Sequence, residues 1–547
     1  MKDFLRLLLI AVLSFVIVGA AIAYTRGGDV LDRLLTAVSV DSLPHLTLSD
    51  TPPEAGLNRV WVPRPHQERW MGLAGFPDSS EIRFPLPAGI NAASAVLRLA
   101  FEAELSADGD GRMTIAVNGD RRGEIVLNAG RSRHEVEIAL DAADMLGHLV
   151  IVTLEGRGTT SGGQICPVDA TNSGAAITLL AESGLEVMTA DATDTLPVRI
   201  ATLADPARLD RGVSPEEQAL AIWGREVLER NGVAVRWATE DHAADIVIVQ
   251  EGAESGLALD AANRIVVSGR SGIHTLLRTR GIAPVAQAIE TWPISVETLG
   301  AETLLKTFRG SRRWAIPYAL ADLPGGLMPR TFRLAIKPSK LAANTDWMVR
   351  VSLNENLLTT ERFDGQSETL ALDVSLPIAV QALANVLQVE LIDTSTNTSV
   401  CQVLPSAQAQ LLGQSSLTVA GTQPREGLPL LVREMANAGT LGLTVATPLD
   451  AGSQRVAAAM LGKLLPASAE VRFGAEAGEA PISIAVTTAG GLRAALRDIG
   501  EIGADFNMRL VIANAEDGSA PGLVSLFEAL PMVQDLAGDT VIFMVTR

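Results

Sequence analysis

Seven tryptophans stand out in a 547-residue chain in which only 4% of residues are aromatic. An indole gives a sugar ring an apolar face to stack on, while the hydroxyls at the ring's rim seek polar partners. Four of the seven keep such company. Trp61 and Trp70 lie near Asn58 and Arg69, Trp314 follows Arg312 and Arg313 and precedes Tyr318, and Trp347 falls inside a strand pattern. A basic, aromatic stretch in a chain of net charge −19 makes Trp314 the first choice for a carbohydrate contact, whereas Trp347 reads as core. Trp223, Trp237 and Trp292 read as packing.

Paired carboxylates can cleave a glycosidic bond as acid and base. The candidates are Glu102 with Glu104, Glu135 with Glu137, and Asp141 with Asp144. Their alternating or helical spacing is also that of a solvated face, and neither His-x-x-x-His nor Gly-x-Ser-x-Gly accompanies them, so no enzyme activity is expected. Asp108-Gly109-Asp110-Gly111 holds only part of a calcium loop and reads as a polar turn. No Gly-x-Gly-x-x-Gly follows a strand and no Ser/Thr-rich loop follows Ile200 or Val445, so no cofactor is expected either. Arg309 and Arg313 form Arg-x-x-x-Arg without the Asp/Asn-x-Ser-x-x-Gly that completes a cyclic-di-GMP motif, and direct binding of that dinucleotide is not expected. The excess of 63 acidic over 44 basic residues repels polyanions, which argues against nucleic acid as a partner.

With 47% apolar and 20% charged residues the chain must build several cores. Residues 1–26 form a signal peptide or an N-terminal membrane anchor: Lys2 and Arg6 precede an apolar run from Leu7 to Ala23. Ala21-Ile22-Ala23 suits cleavage before Tyr24, while 17 residues also reach the lower limit of a membrane span. Either way the basic N-terminus stays in the cytoplasm and the body lies outside it. Residues 27–56 read as a juxtamembrane linker, with Val30, Leu31, Leu34, Leu35 and Val38 at the spacing of an amphipathic or packed helix.

The chain repeats itself. Leu97-Arg98-Leu99-Ala100 returns as Phe332-Arg333-Leu334-Ala335, 235 residues on, Asn118 returns as Asn354 at 236, and Ser183 as Ser415 at 232. Cys166 and Cys401 are also 235 apart. Between these landmarks short alternating runs predict antiparallel β-sandwiches over 57–188 and 303–420. The segments 189–302 and 421–547 read as α/β units. In the first, Pro197 to Ile200 predicts an opening strand, Ser214-Pro215-Glu216-Glu217 a capped helix start, and Ile246 to Val249 a buried strand. In the second, Leu443, Val471 and Ile482 stand where Val198, Val235 and Ile246 stand in the first.

This plan resembles the BcsB family, the periplasmic subunit of bacterial cellulose synthase. Its carriers are Leu97-Arg98-Leu99 with Asn118-Gly119, Cys166-Pro167 leading into Ile177 to Ser183, and Arg264 to Gly269. The resemblance implies two jelly-roll, carbohydrate-binding-like sandwiches alternating with two flavodoxin-like α/β domains. It implies a non-catalytic accessory subunit at the inner membrane that binds the nascent β-glucan and partners the glycosyltransferase making it. Members of that family usually end in a transmembrane helix, and no second hydrophobic span follows Ala23 here. The expected carbohydrate-binding residues are Trp61, Trp70, Arg312, Arg313, Trp314 and Tyr318. Cys166 and Cys401, at equivalent points of the two copies, would meet if the sandwiches face each other, and an interdomain disulfide is expected.

Overall fold

Period-two alternation buries every second side chain when two sheets stack, and it sets the fold of half of this chain. The computed structural model describes residues 56–546 except 66, 68–69, 77, 87–89, 107–108, 148, 160–174, 251–255, 283–290, 309, 342–344, 395–406, 499–508, 514–522, 526–531 and 534. The Leu7 to Ala23 run and the Val30 to Val38 segment lie outside the described residues, among which no helix is long and apolar enough to cross a membrane.

The first sandwich contains β1 (Asn58–Pro63), β2 (Gly72–Ala74), β3 (Asp78–Pro85), β4 (Ala92–Leu105), β5 (Asp110–Val117), β6 (Asp120–Leu127), β7 (Gly130–Leu140), β8 (Leu149–Thr159), β9 (Ala175–Leu179) and β10 (Gly184–Thr189). One sheet runs β1-β10-β4-β9-β2, with β7 also on β4, and the other runs β3-β8-β5-β6. Next come α1 (Leu196–Ala201), β11 (Ala207–Leu209), α2 (Pro215–Arg230), β12 (Val235–Trp237), β13 (Ile246–Val249), β14 (Leu257–Leu259), β15 (Ile265–Ser268) and α3 (Gly269–Thr279). Their sheet runs β12-β11-β13-β15-β14, parallel except for β14 against β15.

The second sandwich is built from β16 (Ile294–Ser295), β17 (Lys306–Phe308), β18 (Ser311–Ala319), β19 (Thr331–Pro338), β20 (Asp346–Leu353), β21 (Asn356–Asp364), β22 (Leu370–Ser375), β23 (Ala384–Asp393), β24 (Ala407–Leu411) and β25 (Ser416–Thr418). Its orders, β16-β25-β19-β24-β17 with β22 on β19, and β18-β23-β20-β21, repeat the first sandwich strand for strand. The chain closes with α4 (Gly427–Ala438), β26 (Thr440–Val445), α5 (Ala451–Leu464), β27 (Glu470–Arg472), β28 (Ile482–Thr488), α6 (Ala489–Asp498), β29 (Arg509–Ala513), β30 (Leu523–Ser525) and β31 (Val541–Thr546), in the order β27-β26-β28-β31-β29-β30. Because β31 runs antiparallel to both its neighbours, and β14 to β15, these sheets are mixed, not the fully parallel ones that a flavodoxin-like expectation implies.

The repeated residues have repeated tasks. The Ser183 hydroxyl accepts from Ala100 N and donates to Ala100 O, both at 3.0 Å, and Ser415 does the same to Ala335 at 2.9 and 3.1 Å. Each serine fills the gap where the central strand changes partners, from β10 to β9 or from β25 to β24. Asn118 and Asn354 take positive φ, 51° and 48°, at the tight turns before β6 and β21, a conformation asparagine tolerates. Their side chains then cross to Ile151 N and Val386 N, each at 2.9 Å.

One sequence expectation fails: Val198 to Ala201 is no strand but part of α1, for which Pro197 suits the first turn. The opening strand of that unit is β11, so Leu443 of β26 corresponds to the β11 region and not to Val198. Helix α2 starts as expected, with Ser214 and Glu217 in a reciprocal capping box. It is buried from Gln218 to Leu228 because α5 packs on it from the second α/β unit. Arg230 at its end donates to the carbonyls of Gly462 and Leu465 and pairs with Glu226 at 2.7 Å and Asp322 at 3.2 Å. The two α/β units and the second sandwich therefore share one continuous apolar core. The first sandwich has its own, joined by Val198 and Ala201 of α1, and Lys306 bridges to it by donating to Ser79 O and Oγ at 3.1 and 2.8 Å.

Candidate carbohydrate-binding site

Strand β18 holds four of the expected residues, and its alternation divides them. Arg313, Ala315 and Pro317 face outward, while Trp314 and Tyr318 flank Ile316 on the inner face at 3% and 5% exposure. Trp314 and Tyr318 thus belong to the core and offer no ring to a polymer, because the stacking of β18 on the opposite sheet covers their side. The Tyr318 hydroxyl donates to Gln381 Oε1 at 3.1 Å, and burial pushes its pKa up. Arg312 is half-buried, lies 5.9 Å from the Trp314 ring centre and pairs with Glu302. Arg313 is exposed and donates to Glu390 at 2.8 Å. Trp347 is fully buried beside Phe308. Trp223 packs on Phe473, Trp237 lies under the Arg225 guanidinium, and Trp292 donates to Pro324 O at 3.3 Å.

The first sandwich leaves one ring free. Trp61 in β1 is half-buried, and its indole covers Gly184, where a Cβ would come within 2.3 Å of it. Beside it the buried Glu186 holds Arg59 at 2.8 Å and Arg98 at 2.9 Å, which fixes β1 and β4 on β10. Trp70 is 60% exposed, the only exposed aromatic among the described residues. Its indole N–H donates to Thr178 Oγ1 at 3.2 Å, so the ring is anchored at the edge of the sheet. Gly72 makes that possible: a Cβ there would lie 1.8 Å from Ile177 O, and only glycine lets β2 approach β9 so closely.

Five of the six carboxylates named from sequence are engaged. Glu102 meets Arg131, Glu135 meets Arg133, Glu137 meets Arg98 and Asp144 meets Arg122, while Asp141 accepts from Ala143 N and Asp144 N. A glycosidase acid needs a raised pKa and access to the polymer. Desolvation pushes Glu226 up to about 7, but it is 3% exposed and borders a cavity of only about 20 Å³ beside Trp223 and His274. Among the described residues no cluster of His, Cys, Asp or Glu could hold a metal ion. At the α2 N-terminus, where an α/β unit would seat a phosphate, the Glu217 carboxylate accepts from Val213 N at 2.8 Å and Ser214 N at 2.9 Å. Those bonds hold Glu217 below the usual carboxylate range.

Cys166, Cys401 and Arg309 lie outside the described residues. The cysteine segments, 160–174 and 395–406, join β8 to β9 and β23 to β24, which are equivalent connections of the two sandwiches. Sequence reasoning passed over Arg280, Glu226 and Asp322, whose neighbours in the chain carry no motif.

Residues 305–423 match the family model described as "Cellulose synthase BcsB, first CBM domain". The match falls on the second sandwich of this chain, whose strand order the first shares. No curated protein matches the chain. Among solved structures it is similar at 12% identity to the CBM36-1 domain of a multidomain xylanase from the hindgut metagenome of Trinervitermes trinervoides, over 24% of this chain and 95% of that one, with a TM-score of 0.15. Dimeric latent PorU from Porphyromonas gingivalis is similar at 10% identity over 76% of this chain and 25% of that one, with a TM-score of 0.17. A family two carbohydrate esterase from Clostridium thermocellum is similar at 11% identity over 36% and 64%, with a TM-score of 0.13. TM-scores this low carry no argument about function. The sandwich over 305–423 is thus similar to the BcsB CBM, in a chain that builds the same strand plan twice.

Proposed function

We propose that this chain is a non-catalytic, periplasmic accessory subunit of an inner-membrane synthase of cellulose or a related β-glucan, and that it binds and guides the emerging polymer. The observation that carries this reading is the match of residues 305–423 to the BcsB CBM, within a chain whose two sandwiches share one strand order. The anchored, exposed indole of Trp70 supports contact with sugar rings, with Trp61, Arg312 and Arg313 as lesser candidates. Arginine-paired carboxylates and the inaccessibility of Glu226 support a role in positioning and not in bond making. The α/β units, with the Glu217 carboxylate in their first crevice, fit a scaffold better than a nucleotide site. The Leu7 to Ala23 run would hold the protein at the membrane or direct its export.

A Cys166–Cys401 disulfide belongs to the same reading. It is supported by Lys306, which ties β17 to β3: β8, the partner of β3, leads into the first cysteine segment, and β24, the partner of β17, follows the second.

The test is affinity purification of the tagged chain from mildly solubilised membranes, with mass spectrometry of what accompanies it and an assay of polymer synthesis. A co-purifying multi-span glycosyltransferase supports the proposal. A chain that comes away alone overturns it in favour of a free polysaccharide-binding or glycoside-hydrolysing protein.

A further inference from the structure

A cavity of about 370 Å³ opens where the first sandwich meets the first α/β unit. Its walls come from two separate cores: Met71 packs with the first sandwich, Val233 and Ile282 with the α/β unit, and Leu149 adds to the apolar lining. Junctions of this kind are where small-ligand sites form, and the volume lies within their range of about 300–1,000 Å³.

Arg280, just after α3, reaches this cavity while only 9% exposed, and its Nε and Nη1 have no hydrogen-bond partner among the described residues. Burial draws its pKa below the ordinary guanidinium value, against the opposing pull of Asp205. A buried cation with unspent donors costs the fold free energy, and native structures seldom keep one without a ligand, an ion or water to meet it. The rest of the lining says what kind of ligand. Asp205 balances the charge of Arg280, and Glu81 and Arg83 pair with each other at 2.7 Å, so the cavity is formally neutral. An anion would bring uncompensated charge beside two carboxylates. A neutral polyol can accept from Arg280, donate toward Asp205 and lay its apolar face on Met71 and Leu149.

We infer that this cavity binds a short neutral saccharide, with Arg280 as its principal hydrogen-bond donor. The site does not include Trp70, and it rests on the polysaccharide-binding reading only in the choice of a β-glucan fragment as ligand.

The test uses the full chain and calorimetric titration with cellobiose, cellotetraose and, separately, inorganic phosphate. Arg280→Met keeps an unbranched apolar stem and removes the donors. It is expected to weaken cellobiose binding at least about tenfold while the chain stays folded, with a thermal midpoint that holds or falls, since Asp205 loses one buried counter-charge and keeps the attraction of Arg64. Met71→Trp, which fills the cavity, is expected to abolish binding as well. The inference is overturned if both variants bind cellobiose as the parent does, or if phosphate binds and cellobiose does not. Retention of the parent chain in a β-glucan gel without any cellobiose binding would sink the cavity site and leave the polysaccharide reading standing.

Discussion

Replacing Trp70 by alanine separates the binding surface from the core. A tryptophan side chain buries up to about 250 Å². At 60% exposure Trp70 keeps roughly 150 Å² in water, and a stacked pyranose covers about half of that, one ring face. At about 25 cal/mol per Å² the contact contributes about 2 kcal/mol, or close to thirtyfold in the dissociation constant. The fold loses the hydrogen bond to Thr178 and the roughly 100 Å² of the side chain that it covers, which at the same coefficient costs about 2–3 kcal/mol. The folded fraction of Trp70→Ala should therefore show weaker retention in affinity electrophoresis through a soluble β-glucan, with a thermal midpoint that falls less than that of Trp314→Ala. Trp314→Ala should do the reverse. A ring 3% exposed leaves a cavity worth about 3–5 kcal/mol of stability, and the folded fraction should be retained like the parent. Unchanged retention of Trp70→Ala, or loss of retention by a stable Trp314→Ala, would return the site to β18 and refute the argument from exposure.

Other outcomes follow from particular contacts. Ser183→Ala and Ser415→Ala each strand a buried backbone N–H, of Ala100 and Ala335, and each should cost about 1–3 kcal/mol in urea unfolding. The two should add in the double variant, since they sit in different cores; losses under about half a kilocalorie would show that the duplicated bond is dispensable. Glu226 holds its proton more tightly in the folded chain, with a pKa of about 7, than at its ordinary value of 4.5. The resulting stabilisation is complete below about 4.5 and is lost as the pH rises through 7. Glu226→Gln should thus raise the urea midpoint at pH 8 and leave it near the parent's at pH 5, and equal effects at both would exclude titration at this site. Peptide mapping of the oxidised protein should recover Cys166 crosslinked to Cys401, and both as free thiols would end the disulfide proposal.

Much of the architecture was legible because its signals are local. The capping box of Ser214 and Glu217 needs only four consecutive residues, and the turns at Asn118 and Asn354 need one residue that accepts positive φ. The duplication was readable for the same reason: Ala100 with Ser183 and Ala335 with Ser415 return because both sandwiches must bridge the same gap in a central strand. Local propensity misled at Val198 to Ile200, where β-branched residues suggested a strand but burial against the first sandwich holds a helix.

The candidate site was less legible, since exposure is a property of the neighbours. Basic residues beside Trp314 suggested a carbohydrate contact, yet which face of β18 turns inward depends on where the strand begins and on the sheet stacked against it. Composition, repeats and caps were determined by the sequence itself, through interactions that span a few residues or recur at a fixed offset. Only the tertiary structure decided that Trp70 is exposed, that Arg280 lines a cavity between two cores, and that Arg230 joins Glu226 to Asp322 and meets Gly462. Those burials arise from contacts roughly 100 to 230 residues apart, and no local pattern records what distant segments will cover.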